Sequence, residues 1–436
     1  HCRHLARYCR HDLRRSCLQH HSCRNEYSPR RVEPRVVAMA QPQQQVHSED
    51  FSEPAAWAWI ADHEGSSIAD LRLKHGLERP YFSWISQLEA KRKYARKFGP
   101  LFEKQWLFPT GLPLEQSSSY ATASFKAILV TTPYSIDLCA GMGIDSHAIS
   151  QRPELQQHWA NELNPDLAQL LKHNLPTAKV SSAPAEELFE AIEAWKQALS
   201  IGPEDLTIYV DPDRRTSGNK AHSIEHTVPH LPSLQGQWLE CAHTIISKHS
   251  PMASLEELKQ LQGCAAIYVV EFLGECKELL CIQRKNWASA VSIHTVVILE
   301  EREARLFTSS PSAQAAVHTD QIHTYLVQPG PALSKSGGHE ELISAMGAKK
   351  LVTGNMYTSE HMPAPNELYE RYEVIEIAKP YKIQTPVNNA AIERIGFPEH
   401  PDLIRKKLKI KEGREMKVFA MKLGTQKQMI LARRLD

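Results

Sequence analysis

"YSIDLCAGMGIDSHAI", Tyr134 to Ile149, is a short apolar run that closes on an acid, passes two glycines and opens into a helix. The run ends at Asp137, Gly141 and Gly143 turn the chain tightly, and the helix begins near Asp145 or Ser146. Glycine accepts positive φ and lets backbone come close to a ligand, and a helix N-terminus presents unpaired N–H groups. Outward from this turn, β-rich runs alternate with helical segments from about Ser124 to Glu300. That alternation predicts a mostly parallel, seven-stranded sheet with helices on both faces, an α/β Rossmann-like core. The strand candidates are "YSIDLC", "HWANE", "AKVSS", "LTIYVD", "HTIISK", "IYVVEF" and "SIHTVVIL".

A strand, a glycine turn and a helix also describe a dinucleotide fingerprint. Here Ser146 takes the third glycine position, and Asp137 would aim an anion at the pyrophosphate. S-adenosylmethionine fits better, because it carries no phosphate and its amino-acid end has an ammonium for an acid to hold. Glu162, in "HWANELNP", ends the next strand about 20 residues on, where a carboxylate accepts ribose hydroxyls. "IYVDPDRR" ends the fourth strand, and strand ends of such a sheet converge on the ligand crevice. Asp211 is therefore expected at the transferable methyl group, with Pro212 stiffening the loop. Arg214 and Arg215 either pair with Asp213 or clamp a phosphate.

The 436 residues suffice for two or three domains, with 42% hydrophobic and 23% charged residues. No apolar run approaches the roughly 20 residues of a membrane-spanning helix. Residues 1 to 38 hold nine Arg, against Asp12, Glu26 and Glu33, and four Cys; the net charge of +1 thus hides an acidic remainder of −5. Cys2, Cys9, Cys17 and Cys23 lack the paired short spacing of a structural zinc site, so no metal is expected. An Arg-rich transit peptide is one reading of this segment. The preferred one is a non-native or disordered extension over residues 1–50, with Met39 as the true start and "QPQQQVHSED" as a polar stretch. The other five Cys lie in apolar contexts and suggest reduced thiols in a cytoplasmic protein.

Residues 51–110 read as helical: Ser67 with Asp70 forms a capping box, and Tyr81, Trp84, Ile85 and Leu88 share one side of a helix. Lys91, Arg92, Lys93, Arg96 and Lys97 at its end are either a solvated face suited to the helix dipole or a nucleic-acid contact. The sheet domain takes residues 111–310, "SSPSAQAA" is a joint, and a second α/β domain takes 320–436, with strands at "TYLV", "YEVIEIA", "KVFAMKL" and "MILARRL". Residues 401–436 carry a net +7, and "IRKKLKIKEGREMK" alternates Leu408 and Ile410 with lysine as a strand would. Its cations Arg405, Lys406, Lys407, Lys409 and Lys411 either bind a polyanion or protect an edge strand.

Taken in order, "FPTGLPLEQSSSYATASFKA", "DLCAGMGIDS", "IYVDPDRR", "SPM", "GECKELL" and "FPEHPDLIRKKLKIKEG" resemble a family of class I S-adenosylmethionine-dependent methyltransferases with a C-terminal THUMP-like domain, common in Bacteroidetes. The likeness runs from about residue 51 to 436. It implies a helical N-terminal region, a Rossmann-like methyltransferase core and a small domain related to RNA-binding THUMP modules. Asp137, Gly141 and Gly143 match the first cofactor motif, Glu162 the ribose-binding acid, and Asp211, Pro212, Arg214 and Arg215 the catalytic loop, with Asp145 a further candidate cofactor contact. The chain departs from the pattern at Pro184, where an adenine-binding acid is expected and Glu186 is the substitute at hand. It departs again at Asp213, in place of a small residue, and in having no aromatic residue after Asp211-Pro212 to stack a flipped base.

The resemblance implies methyl transfer from S-adenosylmethionine, and the expected target is a base nitrogen in structured RNA, tRNA or rRNA. An alternative is transfer to a ribose 2′-hydroxyl by Lys126, Asp211, Lys248 and Glu278 or Glu271, with a lysine of depressed pKa as base. Another is a non-catalytic RNA-binding protein on a degenerate fold. Neither a metal nor a membrane is expected to take part.

Overall fold

The computed structural model describes residues 45–76, 78–214, 223–299, 303–310 and 315–435. The Cys- and Arg-rich segment 1–38 and Arg215 lie outside the described residues, and of Arg214 only the backbone is described. Everything below belongs to one compact unit, Gln45–Asp436.

A helical layer comes first, with helices Pro54–Asp62, Ile68–His75 and Tyr81–Phe98. Ser67 caps the second, its hydroxyl accepting from the Asp70 amide at 3.3 Å. Ile85 and Leu88 are buried with Phe51 and Ile60, and Tyr81 and Trp84 pack against them. The basic end of Tyr81–Phe98 is largely tied down: Lys91 pairs with Glu64, Arg92 donates to the carbonyls of Glu64 and Ser66, and Lys93 stands 3.3 Å from Glu115.

The strands that follow are β1 (Tyr134–Asp137), β2 (Gln157–Asn161), β3 (Lys179–Ser181), β4 (Leu206–Val210), β5 (Asp213–Arg214), β6 (Thr227–Val228), β7 (Thr244–His249), β8 (Cys264–Phe272), β9 (Glu275–Arg284), β10 (Ser292–Ile298) and β11 (Ala304–Ser309). Nine of them form one sheet in the order β3-β2-β1-β4-β7-β9-β8-β10-β11, while β5 and β6 pair separately. The five from β3 to β7 are parallel. Every residue of β4 is buried, as a strand covered on both faces requires. Seven strands were expected. The sheet gains β9, antiparallel to both neighbours, and the edge strand β11.

A second sheet of eight strands runs through β12 (His318–Thr319), β13 (Tyr325–Pro329), β14 (Lys349–Leu351), β15 (Tyr357–Ser359), β16 (Tyr369–Ala378), β17 (Ala391–Ile395), β18 (Met416–Leu423) and β19 (Gln426–Leu435). Val297 of β10 shares a core cluster with Val327 of β13 and with Leu333 and Tyr357, so the two sheets are packed through apolar contact. Among the described residues, no helix is long and apolar enough to cross a membrane.

The segment read as a Lys-rich strand is instead the helix Pro401–Leu408. Pro401 opens it, Asp402 sits in its first turn, and Ile404 is buried with Ile410 against β18 and β19. Its cations are divided. Arg405 pairs with Glu412 at 2.6 Å and Lys407 with Glu399, whereas Lys406, Lys409 and Lys411 are exposed.

Candidate active site

The chain runs from β1 out to β3 and then crosses back to β4 on the other side of β1. Ligands of open α/β sheets bind where the strand order reverses, outside the C-terminal strand ends. Two cavities open there. One, about 790 Å³, is bordered by Gly141, Asp145, Glu162, Glu186 and Asp211 among others. The other, about 480 Å³, lies on the side of the helix Tyr81–Phe98 and of β9. Their common wall is Gln116, Ser117, Ser118, Asp211, Pro212 and Lys248.

The glycine turn builds the first cavity. Gly141 has φ 55° and Gly143 φ 88°, both left-handed. The Gly141 amide donates to Glu162 Oε2 at 2.7 Å, and the Asn164 amide donates to Oε1 of the same carboxylate at 2.8 Å. A carboxylate has about four acceptor positions, so Glu162 retains capacity toward the cavity. Burial raises the Glu162 pKa, against these two amide bonds. Asn161 joins the ends of β1, β2 and β3: its amide donates to the carbonyls of Leu138 and Ala183, and its oxygen accepts from Ser181. A Cβ on Gly143 would lie 2.4 Å from Leu171 Cδ2 in the core, whereas one on Gly141 would meet nothing within 4 Å. Gly143→Ala is therefore expected to cost about 2–4 kcal/mol in urea unfolding, and Gly141→Ala only the backbone term of about 1–2 kcal/mol.

Asp137 is not on the cavity wall. It is buried, with Oδ1 accepting from the Cys139 amide at 3.1 Å and Oδ2 from the Ser146 hydroxyl at 2.7 Å. Burial, reinforced by the Asp145 charge, raises its pKa to about 8. Asp137 is thus held inside the turn by Cys139 and Ser146, whereas the neighbouring Asp145, itself largely buried, borders the cavity. Burial opposes the Asp145 charge, but Lys126 and Lys248 outweigh it and lower its pKa. Cys139, on the same wall, is held as a thiol by burial and by nearby carboxylates.

A buried ion cluster underlies the common wall. Lys126 is fully buried, 3.0 Å from Glu278 Oε2 and 2.9 Å from Asp145 Oδ1, the latter pair off hydrogen-bond alignment. Ser118 accepts from Lys126 at 2.5 Å and donates to Asp145 at 2.9 Å, and the Tyr209 hydroxyl donates to Asp145 at 2.8 Å. Lys248 donates to Asp211 Oδ2. Burial works against the Lys248 ammonium, but Asp211, Glu278 and Asp145 together outweigh it and hold its pKa above the ordinary lysine value.

Lys126, Asp211, Lys248 and Glu278 thus converge, as the ribose reading requires, but Lys248 is a firmly protonated lysine and not one of depressed pKa. Glu271 stands apart, accepting from the Ala332 amide at 2.9 Å beside the second sheet. Asp211 has a side chain 36% exposed and faces both cavities. Glu186 is exposed and borders the first cavity. Ser118 and Tyr209 escaped sequence reasoning. Tyr209 had a signal, because period two along "IYVD" places it on the same face as Asp211. Ser118, in a serine-rich loop, had none.

No family model and no curated protein matches the chain. Solved structures do. A crystal structure from Porphyromonas gingivalis W83, provisionally assigned as a methyltransferase, superposes with a TM-score of 0.75 over 90% of this chain and 99% of its own, at 25% identity. The core of this protein is a Rossmann-like methyltransferase fold. A provisionally assigned RNA methyltransferase of Pyrococcus horikoshii matches 31% of this chain and 60% of its own at 14% identity, with a TM-score of 0.22. An O-methyltransferase of Bacillus cereus in complex with SAH matches 33% and 62% at 15% identity, with a TM-score of 0.24. The coverage of the first, 90% of this chain, takes in both sheets.

Proposed function

We propose that the protein is an S-adenosylmethionine-dependent methyltransferase acting on a base nitrogen in structured RNA, tRNA or rRNA. The observation that carries the cofactor is the charge of the larger cavity. Its wall has five carboxylates, Asp145, Glu162, Glu186, Asp211 and Asp213, and one ammonium, Lys248. Such a wall repels the pyrophosphate of a dinucleotide and suits a molecule bearing a sulfonium and an ammonium. Glu162 would hold the ribose hydroxyls, Asp145 would favour the ammonium, and Glu186 would take the adenine amine. Bound there, S-adenosylmethionine supplies an electrophilic methyl group.

The chain's own residues do the rest. Lys248 takes one oxygen of Asp211 and leaves the other to accept from an acceptor N–H. The Asp211 charge then stabilises the positive charge that develops on the nitrogen. Pro212 fixes the loop, and the wall shared by the two cavities would hold donor and acceptor against each other. Residues 320–436 are the THUMP-like RNA-binding part in this reading, with Lys406, Lys409 and Lys411 as its exposed cations and Arg405 and Lys407 held by their ion pairs; Arg214 and Arg215 would join the phosphate contacts. The likeness of the quoted motifs to the Bacteroidetes family supports this arrangement, and the charge excess of the C-terminus supports a polyanionic partner.

Transfer to a ribose 2′-hydroxyl is the second reading, favoured by the convergence of Lys126, Asp211, Lys248 and Glu278. It needs a base, and Lys248 is poorly suited because three carboxylates hold its proton. Digestion of RNA methylated with labelled S-adenosylmethionine separates the two, since base-methylated and ribose-methylated nucleosides differ in their sugar fragments by mass spectrometry.

Calorimetric titration with S-adenosylmethionine tests the cofactor site directly. Glu162→Gln is expected to weaken binding about 10- to 100-fold, the loss of charge-assisted hydrogen bonds. Asp137→Asn is expected to act less, through the turn. No binding by the wild-type chain would leave a non-catalytic RNA-binding protein as the reading.

A further inference from the structure

The smaller cavity differs in charge from the larger one. Its cations are Arg96, Lys97, Lys248 and Lys277, and its acids are Glu115, Asp211 and Glu278. The acids are engaged: Glu115 with Lys93 at 3.3 Å, Asp211 with Lys248, and Glu278 with Lys126 at 3.0 Å. Lys277 pairs with Glu275. Lys97 is different. Its ammonium donates to the main-chain carbonyls of Leu114 and Glu115, each at 2.8 Å, and among the described residues no carboxylate stands within ion-pairing distance of it. Burial, then the charges of Lys248 and Lys277, lower its pKa to about 8. A half-buried ammonium on a cavity wall, facing further cations and carrying a spare N–H, is a site for an anion.

We propose that Lys97, with Arg96 and Lys277 beside it, is the phosphate subsite of the acceptor pocket and holds the phosphate of the nucleotide presented to Asp211. The volume, about 480 Å³, lies in the range of roughly 300–1,000 Å³ that holds a single small ligand, so one nucleotide enters and not a duplex. Two further features of the wall suit a nucleoside. Glu278 Oε1 is buried without a hydrogen-bond partner among the described residues and takes a donor. Phe272 lines the same cavity and supplies the ring that the Asp211-Pro212 loop lacks. The assignment rests on the nucleic-acid reading above and names where in the site the backbone is gripped.

The test uses the full-length protein and a short single-stranded ribo-oligonucleotide of mixed sequence. At pH 8, Lys97 is partly deprotonated while ordinary lysines, near 10.4, are not, so a limiting dose of acetic anhydride labels it preferentially. The oligonucleotide is expected to protect Lys97 from labelling, read by peptide mass spectrometry. Lys97→Gln is expected to weaken oligonucleotide binding about tenfold and to flatten the slope of log affinity against log salt by about 0.7, one phosphate contact to a single strand. Lys97→Arg should restore both, and S-adenosylmethionine affinity should be the same in all three proteins. Labelling that persists with RNA bound, together with wild-type affinity and slope in Lys97→Gln, overturns the subsite and leaves the RNA reading intact. Protection by inorganic phosphate in a protein that binds no RNA supports the anion subsite and removes the RNA reading instead.

Discussion

Asp211→Asn is expected to lower single-turnover methyl transfer about 100- to 1,000-fold while S-adenosylmethionine affinity stays within about twofold. The substitution keeps the shape of the side chain and removes its charge. Lys248 loses one partner but retains the fields of Glu278 and Asp145, so the wall stays assembled. What disappears is the negative charge that faces both cavities, which in the ground state contributes little and in the transition state opposes a growing positive charge. The expected signature is therefore a fall in the chemical rate with little change in the concentration of RNA needed for half-saturation. Turnover within a few-fold of wild type would remove Asp211 from the chemistry. Loss of cofactor binding would make it a ligand of the cofactor instead.

Much of the core was legible because parallel strands announce themselves. The seven candidate strands all exist, and the central ones, such as β4, were plainest because a strand buried on both faces is an unbroken apolar run between turns. Strand β9 was passed over. Its start, "ECKEL", alternates charge with Cys and Leu, and only its middle is buried. The helix Pro401–Leu408 was misread because Lys alternating with Leu408 and Ile410 mimics period two. Ile404 and Leu408, four apart, with Pro401 and Asp402 at the start, were the better signal.

The site divides the same way. Gly141, Asp145, Glu162 and Asp211 were legible because their place at strand ends is a consequence of local sequence and of sheet topology. The partnership of Lys126 with Glu278 spans 152 positions and follows from no local rule. Lys97 belongs to a helix of the N-terminal layer, and only packing of that layer on the sheet brings it to the acceptor pocket.

Lys126→Met is expected to destabilise the protein by about 3–5 kcal/mol at pH 8, because it leaves two buried carboxylates without their shared counter-ion. Both Asp145 and Glu278 are largely buried, with 8% and 3% of their surface exposed, so water replaces the ammonium poorly. In the wild type, Lys126 and Lys248 keep the Asp145 pKa below its unfolded value, which adds stability above that value and loses it as acid protonates the carboxylate. Glu278 is already raised by burial despite Lys126. Without the lysine the pKa of each carboxylate rises in the folded state, Asp145 from its lowered value and Glu278 from its raised one, and a raised folded pKa favours folding toward acid. The gap between variant and wild type should therefore be widest near pH 8 and shrink toward pH 4, read as urea midpoints at a constant m value. A gap independent of pH would mean that Lys126 acts through packing of its stem and not through its charge. Adding Glu278→Leu to the variant should recover part of the loss, since an apolar replacement of a buried ion pair is far cheaper than half of one. The same double variant keeps Asp145 and Lys248 in place, so any activity it lacks beyond its recovered stability reports what the Lys126–Glu278 pair contributes beside the smaller cavity.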